Sequence, residues 1–282
     1  MRMSPEIQDR IRHARGFIFD MDGTIALGDA ASGGHVALPG AVAFLGKLRA
    51  LGIPFRVFTN GTAKPPAAYA ASLRNAGFDL ADHEMMTPSS SAAIWFEKQG
   101  IRRVRVLGNA GVAAPLKDRG IEVVGASEEG DVEAVYTGWF REFTFPDLEA
   151  ACQSVWDGAT LTTASHVPFF ATATGRGIGS SFAINKMIAA MTGKQAKVLG
   201  KPSRIAFDAA VAAMGLPRAA ARDIVVFGDD PALEMRMARG AGAVGVGLTT
   251  GLMKREALAT LPESQQPHLL IDDYAPVMRL FA

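Results

Sequence analysis

Gly16-Phe17-Ile18-Phe19-Asp20-Met21-Asp22-Gly23-Thr24 decides how the rest of this chain is read. Its first half is a short apolar run of aromatic and β-branched residues, which reads as a strand. Its second half places two carboxylates, Asp20 and Asp22, just past the strand end. In open α/β sheets ligands bind beyond the carboxyl ends of the strands. One acid of such a pair can attack as a nucleophile while the other handles protons. Together they can also hold a hard divalent cation through oxygen. A capped turn is the plainer alternative, because Asp and Gly are common turn formers.

Working outward, Pro54–Asn60 (PFRVFTN) reads as the next strand. Between the two, AVAFLGKLRALG places Val42, Leu45, Leu48 and Leu51 at helical spacing and ends on Gly52. A strand–helix–strand unit of this length reads as a right-handed crossover onto a parallel strand. The pattern recurs near the C-terminus: a helix over 202–214, a strand DIVVFG, a helix over 232–239, then strands AVGVGL and HLLID. Uninterrupted apolar strands such as IVVF predict a sheet covered on both faces. The middle has its own alternation: helix SSAAIWFEKQG, strands VRVLG, IEVVG and VEAVYTG, a helix over 147–156 and strand ATLTT. It has enough apolar runs for a core of its own. The expected organisation is therefore α/β throughout, a discontinuous parallel-sheet core (1–81 and 177–282) holding an inserted domain (82–176).

The 282 residues suit one large or two smaller domains, and 49% apolar with 20% charged residues is ordinary globular composition. Lys and Arg number 29 against 28 Asp and Glu, a net charge of +1, so no bulk field would hold nucleic acid or an anionic membrane. The single Cys152 excludes an internal disulfide and a Cys-rich zinc site and fits a reducing cytoplasm. The first residues, MRMSPEIQDRIRHARG, are too charged for a signal-peptide core, and no apolar run approaches a bilayer span. A cytoplasmic protein is expected.

Three further features stand at strand ends or helix starts. Thr59-Asn60 closes the second strand, where a hydroxyl can bind a phosphoryl oxygen or simply form a turn. Lys201, in Leu199-Gly200-Lys201-Pro202, precedes a helix and is either a site residue or a solvated surface lysine. Gly228-Asp229-Asp230 closes DIVVFG, where the acids can ligate a metal or cap the next helix. Two glycine patterns carry less. Gly240–Gly245 fits a dinucleotide spacing but follows a helix and leads into a strand, the reverse of the required order. Thr174–Gly179 reads as a loop returning from the inserted domain to the core. The methionines of LEMRMARG recur at helical spacing and read as core packing.

As a set, Asp20-Met21-Asp22-Gly23-Thr24, Thr59, Lys201 and Gly228-Asp229-Asp230 resemble the four motifs of the haloacid dehalogenase superfamily. The 39 residues from Asp20 to Thr59 leave no room for a helical cap, whereas the 142 from Thr59 to Lys201 hold the inserted domain. That placement resembles the subclass with a large α/β type-2 cap, the NagD-like or p-nitrophenyl phosphatase-like proteins, on a Rossmann-like core.

The resemblance implies a Mg²⁺-dependent phosphatase acting on a small-molecule phosphate ester. Asp20 would attack phosphorus, and Asp22 would protonate the leaving alcohol and then deprotonate water. Mg²⁺ would sit between the Asp20 carboxylate, the Asp22 main-chain carbonyl and Asp229. Thr59, Asn60 and Lys201 would bind the transferring oxygens. Relatives often carry an Asp five residues after the first acid of the last motif; here Glu234 stands there, so Glu234 or Asp230 would complete the metal shell. In the cap, relatives often show Ala-Thr-Asn-x-Asp; here Thr163-Ala164-Ser165-His166-Val167 replaces it. Substrate specificity is therefore expected at Ser165 and His166, although His166 also suits an ordinary surface or core-edge histidine. Relatives are often dimers through the cap, which leaves room for a homodimer. Carbon–halogen hydrolysis is the alternative chemistry and Asp22 argues against it, since a halide needs no acid. A non-catalytic binding protein on the same fold is the alternative class, but the acid set is intact.

Overall fold

A computed structural model describes residues 3–28, 34–172 and 175–281 of the chain. Contacts divide the chain into two units, Met1–Thr59 with Ala67–Met86 and Phe207–Ala282, and Asn60–Pro66 with Thr87–Ala206. Both are α/β.

The first unit is built on a six-stranded sheet in which every pairing is parallel. Its strand order is Leu269–Ile271, Val244–Leu248, Ile224–Gly228, Gly16–Phe19, Phe55–Phe58, Met85–Met86. All residues of these six strands are buried, which suits their apolar runs, and Arg56 is the one charged residue among them. The centre of the core is aromatic. Phe19 stacks on Phe227 with centroids 4.9 Å apart, Phe227 stacks on Tyr274 at 5.7 Å, and Phe44 meets the edges of Phe17 and Phe19. Each such buried ring contributes on the order of 1.5–3 kcal/mol by leaving water. This packing sits under the ends of the Gly16–Phe19 and Ile224–Gly228 strands, so the loops beyond them start from a rigid base.

The helix Ala41–Ala50 forms where expected, but its buried face is Ala41, Phe44, Leu45 and Leu48. Val42 and Leu51 are exposed. The reason is angular. Steps of three residues turn about 300° on a helix, so a strict three-residue spacing drifts by about 60° at each step. Leu51 thus ends up opposite Val42, whereas spacings of three and four keep Phe44, Leu45 and Leu48 on one side.

The second unit has a five-stranded parallel sheet, in the order Lys197–Val198, Thr160–Thr163, Ala134–Thr137, Arg103–Leu107, Glu122–Val124. Alternate side chains feed two separate cores. Val104, Val106, Ala134 and Tyr136 pack with Phe96, Val112 and Leu116 from the helices Pro88–Gln99 and Ala110–Lys117. Leu107, Val135 and Leu161 pack with Leu148, Val155, Ile184 and Ile188 from Phe145–Trp156 and Ser180–Thr192. Arg105, also buried, is satisfied by Ser154 Oγ and by the carbonyls of Gly125, Ala126, Glu128 and Gly130.

The units meet the chain at other places than the expected 82 and 177. Met85–Met86 pairs with Phe55–Phe58 and so closes the first sheet at its edge. The helix Ser180–Thr192 and strand Lys197–Val198 belong to the second unit's core and sheet. The segment expected as a returning loop is instead half of a hairpin, with Gly175–Ile178 antiparallel to Phe169–Thr172. Thr174, the first residue of that glycine pattern, lies outside the described residues. Among the described residues no helix is long and apolar enough to cross a membrane.

Candidate active site

Asp20 leaves the Gly16–Phe19 strand still on its ladder, its N–H donating to Phe227 O at 2.9 Å. The chain then turns tightly, because the Met21 carbonyl accepts from the N–H groups of Thr24, Ile25 and Ala26. Gly23 allows this turn with φ at +79°, a conformation that costs other residues strain. The two acids end in different surroundings. Asp20 is buried and its Oδ2 accepts from Thr24 Oγ1 at 3.3 Å, while the Asp22 side chain is 57% exposed. Burial suits a held nucleophile, and exposure suits a group that must exchange protons.

Asp229 follows the neighbouring Ile224–Gly228 strand and is buried. Its Oδ2 accepts from Leu252 N at 2.8 Å. A Cβ added to Gly23 would lie 2.6 Å from the same oxygen, and one on Gly251 would overlap it. Thr250 Oγ1 donates to the Gly23 carbonyl at 2.5 Å. Two bare Cα atoms thus let the loop after the first strand and the 250–252 loop close on one carboxylate. On the other side of Gly16–Phe19, the buried Thr59 follows Phe55–Phe58 and donates its N–H to Met86 O at 3.2 Å. Asp229, Asp20 and Thr59 therefore follow the carboxyl ends of three adjacent parallel strands.

Asp230 and Glu234 are occupied locally. Asp230 Oδ1 accepts from Ala232 N at 2.8 Å and so caps the turn Pro231–Met235, and the buried Glu234 accepts from Asp230 N at 3.2 Å through Oε2. Tyr274, fully packed behind this loop, donates its hydroxyl to Thr24 O at 2.9 Å. Burial, and then the charge of Asp20, hold its phenol well above the usual tyrosine range.

Asn60 and Lys201 belong to the second unit. Asn60 Nδ2 donates to Lys201 O and Asn60 Oδ1 accepts from Lys201 N, both at 2.9 Å. Lys201 is 1% exposed, which removes the reading as a solvated surface lysine. Ser165 and His166 follow the strand Thr160–Thr163, beside the strand Lys197–Val198 that leads to Lys201. The buried Ser165 Oγ accepts from Val167 N at 3.1 Å and so closes its own loop. His166 stands at the surface with Nε2 3.3 Å from Asn185 Nδ2, and partial desolvation of its ring by its neighbours, followed by the charge of Lys186, lowers its pKa.

Other contributors were not legible as site residues. Thr250, Gly251 and Leu252 hold Gly23 and Asp229; the run Gly247-Leu248-Thr249-Thr250-Gly251, at the end of another strand, is the signal that marks them. His35 places Nε2 3.6 Å from Asp22 Oδ1, and nothing in its sequence context announces it.

Asp20 and Asp229 place two carboxylates beyond adjacent parallel strands. This all-oxygen set suits a hard cation that keeps part of its water shell. Among the described residues no group of three or more His, Cys, Asp or Glu side chains stands close enough to hold a metal ion by itself.

Paired acids beyond one parallel strand and a third acid beyond its neighbour define a class of α/β hydrolases. The family profile described as "Haloacid dehalogenase-like hydrolase" matches residues 17–122, and a second, HAD-hydrolase-like, matches 198–277. Between them they take in Asp20, Asp22, Thr59, Lys201 and Asp229. The chain belongs to the haloacid dehalogenase superfamily of hydrolases. It is 24% identical over 259 residues to an acid sugar phosphatase of Staphylococcus haemolyticus, covering 91% of this chain and 92% of that one. Its fold is that of a p-nitrophenyl phosphatase from Archaeoglobus fulgidus, with TM-score 0.81, 24% identity and coverage of 94% and 99% of the two chains. NagD from E. coli K-12 shares the fold with TM-score 0.80, 20% identity and coverage of 93% and 97%.

Proposed function

We propose that this chain is a Mg²⁺-dependent phosphatase that hydrolyses small-metabolite phosphomonoesters through an aspartyl-phosphate. The observation that carries the reading is the clustering of Asp20 and Asp229 beyond adjacent strands, with Gly23 and Gly251 pressed against the Asp229 carboxylate. The names of relatives across the whole chain point the same way.

In this reading Asp20 attacks phosphorus while the leaving oxygen takes a proton from Asp22. Asp22 then removes a proton from water, which displaces Asp20 and releases phosphate. Asp20 and Asp229, with the Asp22 carbonyl, would hold Mg²⁺, which when bound offsets the repulsion between the anionic nucleophile and the anionic ester. Thr59, Asn60 and Lys201 are the phosphoryl-binding residues of the reading. The buried Thr59 and Lys201, with the half-buried Asn60, bring hydroxyl, ammonium and amide groups of the kind that suits a transferring group whose charge is spread over three oxygens. Asp230 and Glu234, engaged in capping, tune the Asp229 loop from outside the metal shell. Ser165 and His166 give the specificity.

Release of inorganic phosphate from a panel of phosphate esters, with and without Mg²⁺, tests the proposal, with Asp20→Asn as the matched control. Asp20→Asn is isosteric but a poor nucleophile, so turnover should vanish while the fold stays intact. Retention of even a tenth of wild-type activity by Asp20→Asn would exclude Asp20 as nucleophile.

A further inference from the structure

We infer that His35 is a positioning residue for Asp22, holding its carboxyl where the leaving oxygen is protonated. This rests on the reading of Asp22 as the general acid. The local frame is tight. His35–Ala37 runs antiparallel to Ala26–Gly28, with His35 opposite Gly28 and Ala37 opposite Ala26. Ala26 in turn accepts from Gly23 N at 2.9 Å and bridges Asp22, so the strand carrying His35 is welded to the loop carrying the acid.

The imidazole is hydrogen-bonded at one nitrogen and faces Asp22 with the other. Nδ1 lies 2.8 Å from Ser72 Oγ, on the helix Pro66–Asn75, and Nε2 faces Asp22 Oδ1 at 3.6 Å. The His35 side chain is 10% exposed, whereas that of Asp22 is 57% exposed. A neutral imidazole has one donor and one acceptor nitrogen, and the Ser72 hydroxyl can serve Nδ1 in either role, which leaves Nε2 to face the Asp22 carboxyl. The 3.6 Å separation is within ion-pair reach but longer than a hydrogen bond. Its effect is to select an orientation. An exposed carboxyl otherwise samples several rotamers, and catalytic groups lose rate steeply when they leave their reacting geometry. A largely enclosed imidazole held from behind is a rigid wall that presents one ring nitrogen to Asp22.

Leaving-group chemistry separates this role from a structural one. A nitrophenolate departs without a proton, whereas an alkoxide does not. Loss of Asp22 positioning should therefore hurt alkyl phosphates far more than p-nitrophenyl phosphate, while a disordered hairpin would hurt both alike. The measured quantity is kcat/KM, which reports the step in which the leaving group departs, for p-nitrophenyl, phenyl and alkyl phosphates with full-length protein.

His35→Ala is expected to lower kcat/KM at least tenfold more for the alkyl ester than for the nitrophenyl ester. His35→Gln, which retains an N–H donor, should recover most of that difference, and Ser72→Ala should show it in part. In an Asp22→Asn background, His35→Ala should add nothing, since coupled residues are not additive. Equal losses on all esters, or a full additive loss in the Asp22→Asn background, would overturn the inference. If Asp22→Asn itself shows no preference for impairing alkyl esters, the general-acid reading falls, and the inference with it. A thermal melt reports folding of each variant independently.

Discussion

Gly251 and Asp229 are packed so closely that any side chain at position 251 would occupy the place of Asp229 Oδ2. The carboxylate is also held by Leu252 N, one residue further on, at 2.8 Å. Gly251 therefore sets where Asp229 can sit, although it offers no chemistry. Gly251→Ala should push the carboxylate out of line with Asp20, raise the Mg²⁺ concentration needed for half-maximal activity and lower the rate by about tenfold or more, near 1.4 kcal/mol. Mg²⁺ titration of phosphate release checks this, with chelator abolishing wild-type activity and Ca²⁺ replacing Mg²⁺ poorly. An unaltered Mg²⁺ requirement in Gly251→Ala would show that Asp229 does not depend on the contact.

Asn60 and Lys201 lock two distant segments through a pair of 2.9 Å hydrogen bonds. Asn60→Ala removes both and leaves the Lys201 N–H and carbonyl without those partners. The expected loss is about 1–3 kcal/mol, at about 0.5–1.5 kcal/mol for each bond. Chemical denaturation of the variant measures it. Asn60→Asp, which keeps only the acceptor, should fall between the alanine variant and wild type. If Asn60→Asp proves as unstable as Asn60→Ala, acceptance from Lys201 N contributes nothing.

His268 predicts an acid-labile fold. Its Nδ1 accepts from Gly245 N at 2.9 Å, which requires the unprotonated nitrogen. Burial, then Arg239 and Arg10, depress its pKa from 6.5 to about 4. The folded state thus favours the neutral ring, and between these values the unfolded chain binds more protons. Stability from this group is fully present above pH 6.5 and is lost as the pH falls toward about 4. His268→Asn keeps an acceptor without titrating in this range, so its unfolding free energy should change less over that interval. Identical pH slopes for the two proteins would remove His268 from the account.

The cap residues should act on choice of ester. Phosphoryl-binding groups serve every substrate, whereas discrimination must come from contacts to the leaving group. His166→Ala is expected to lower kcat/KM for the preferred ester about tenfold, near 1.4 kcal/mol, and to alter p-nitrophenyl phosphate hydrolysis much less. Ser165→Ala also removes the hydroxyl that holds Val167 N, so its effect includes loop disorder and should be broader. A uniform loss across all esters in His166→Ala would assign that position to structure.

Local order along the chain was enough for the strands that carry the acids. Runs such as Phe17-Ile18-Phe19 and Ile224–Phe227 have one readable meaning when polar turn residues follow them, because a covered parallel strand has no other way to bury both faces. The placement of Asp20, Thr59 and Asp229 just past strand ends was readable for the same reason, since a polar residue after a covered apolar run marks where the strand stops. What required tertiary structure were features set by packing between segments far apart in sequence. The buried face of Ala41–Ala50 followed helical angle and the aromatic core rather than three-residue spacing. The second unit continued through Lys197–Val198 because a two-residue strand is stabilised only by the sheet it joins. His35 became a neighbour of Asp22 through a hairpin and a serine 37 residues away from it, and Gly251 reached Asp229 across a sheet end. Such contacts are fixed by backbone geometry summed over the whole fold, and a histidine or glycine carries no local mark of them.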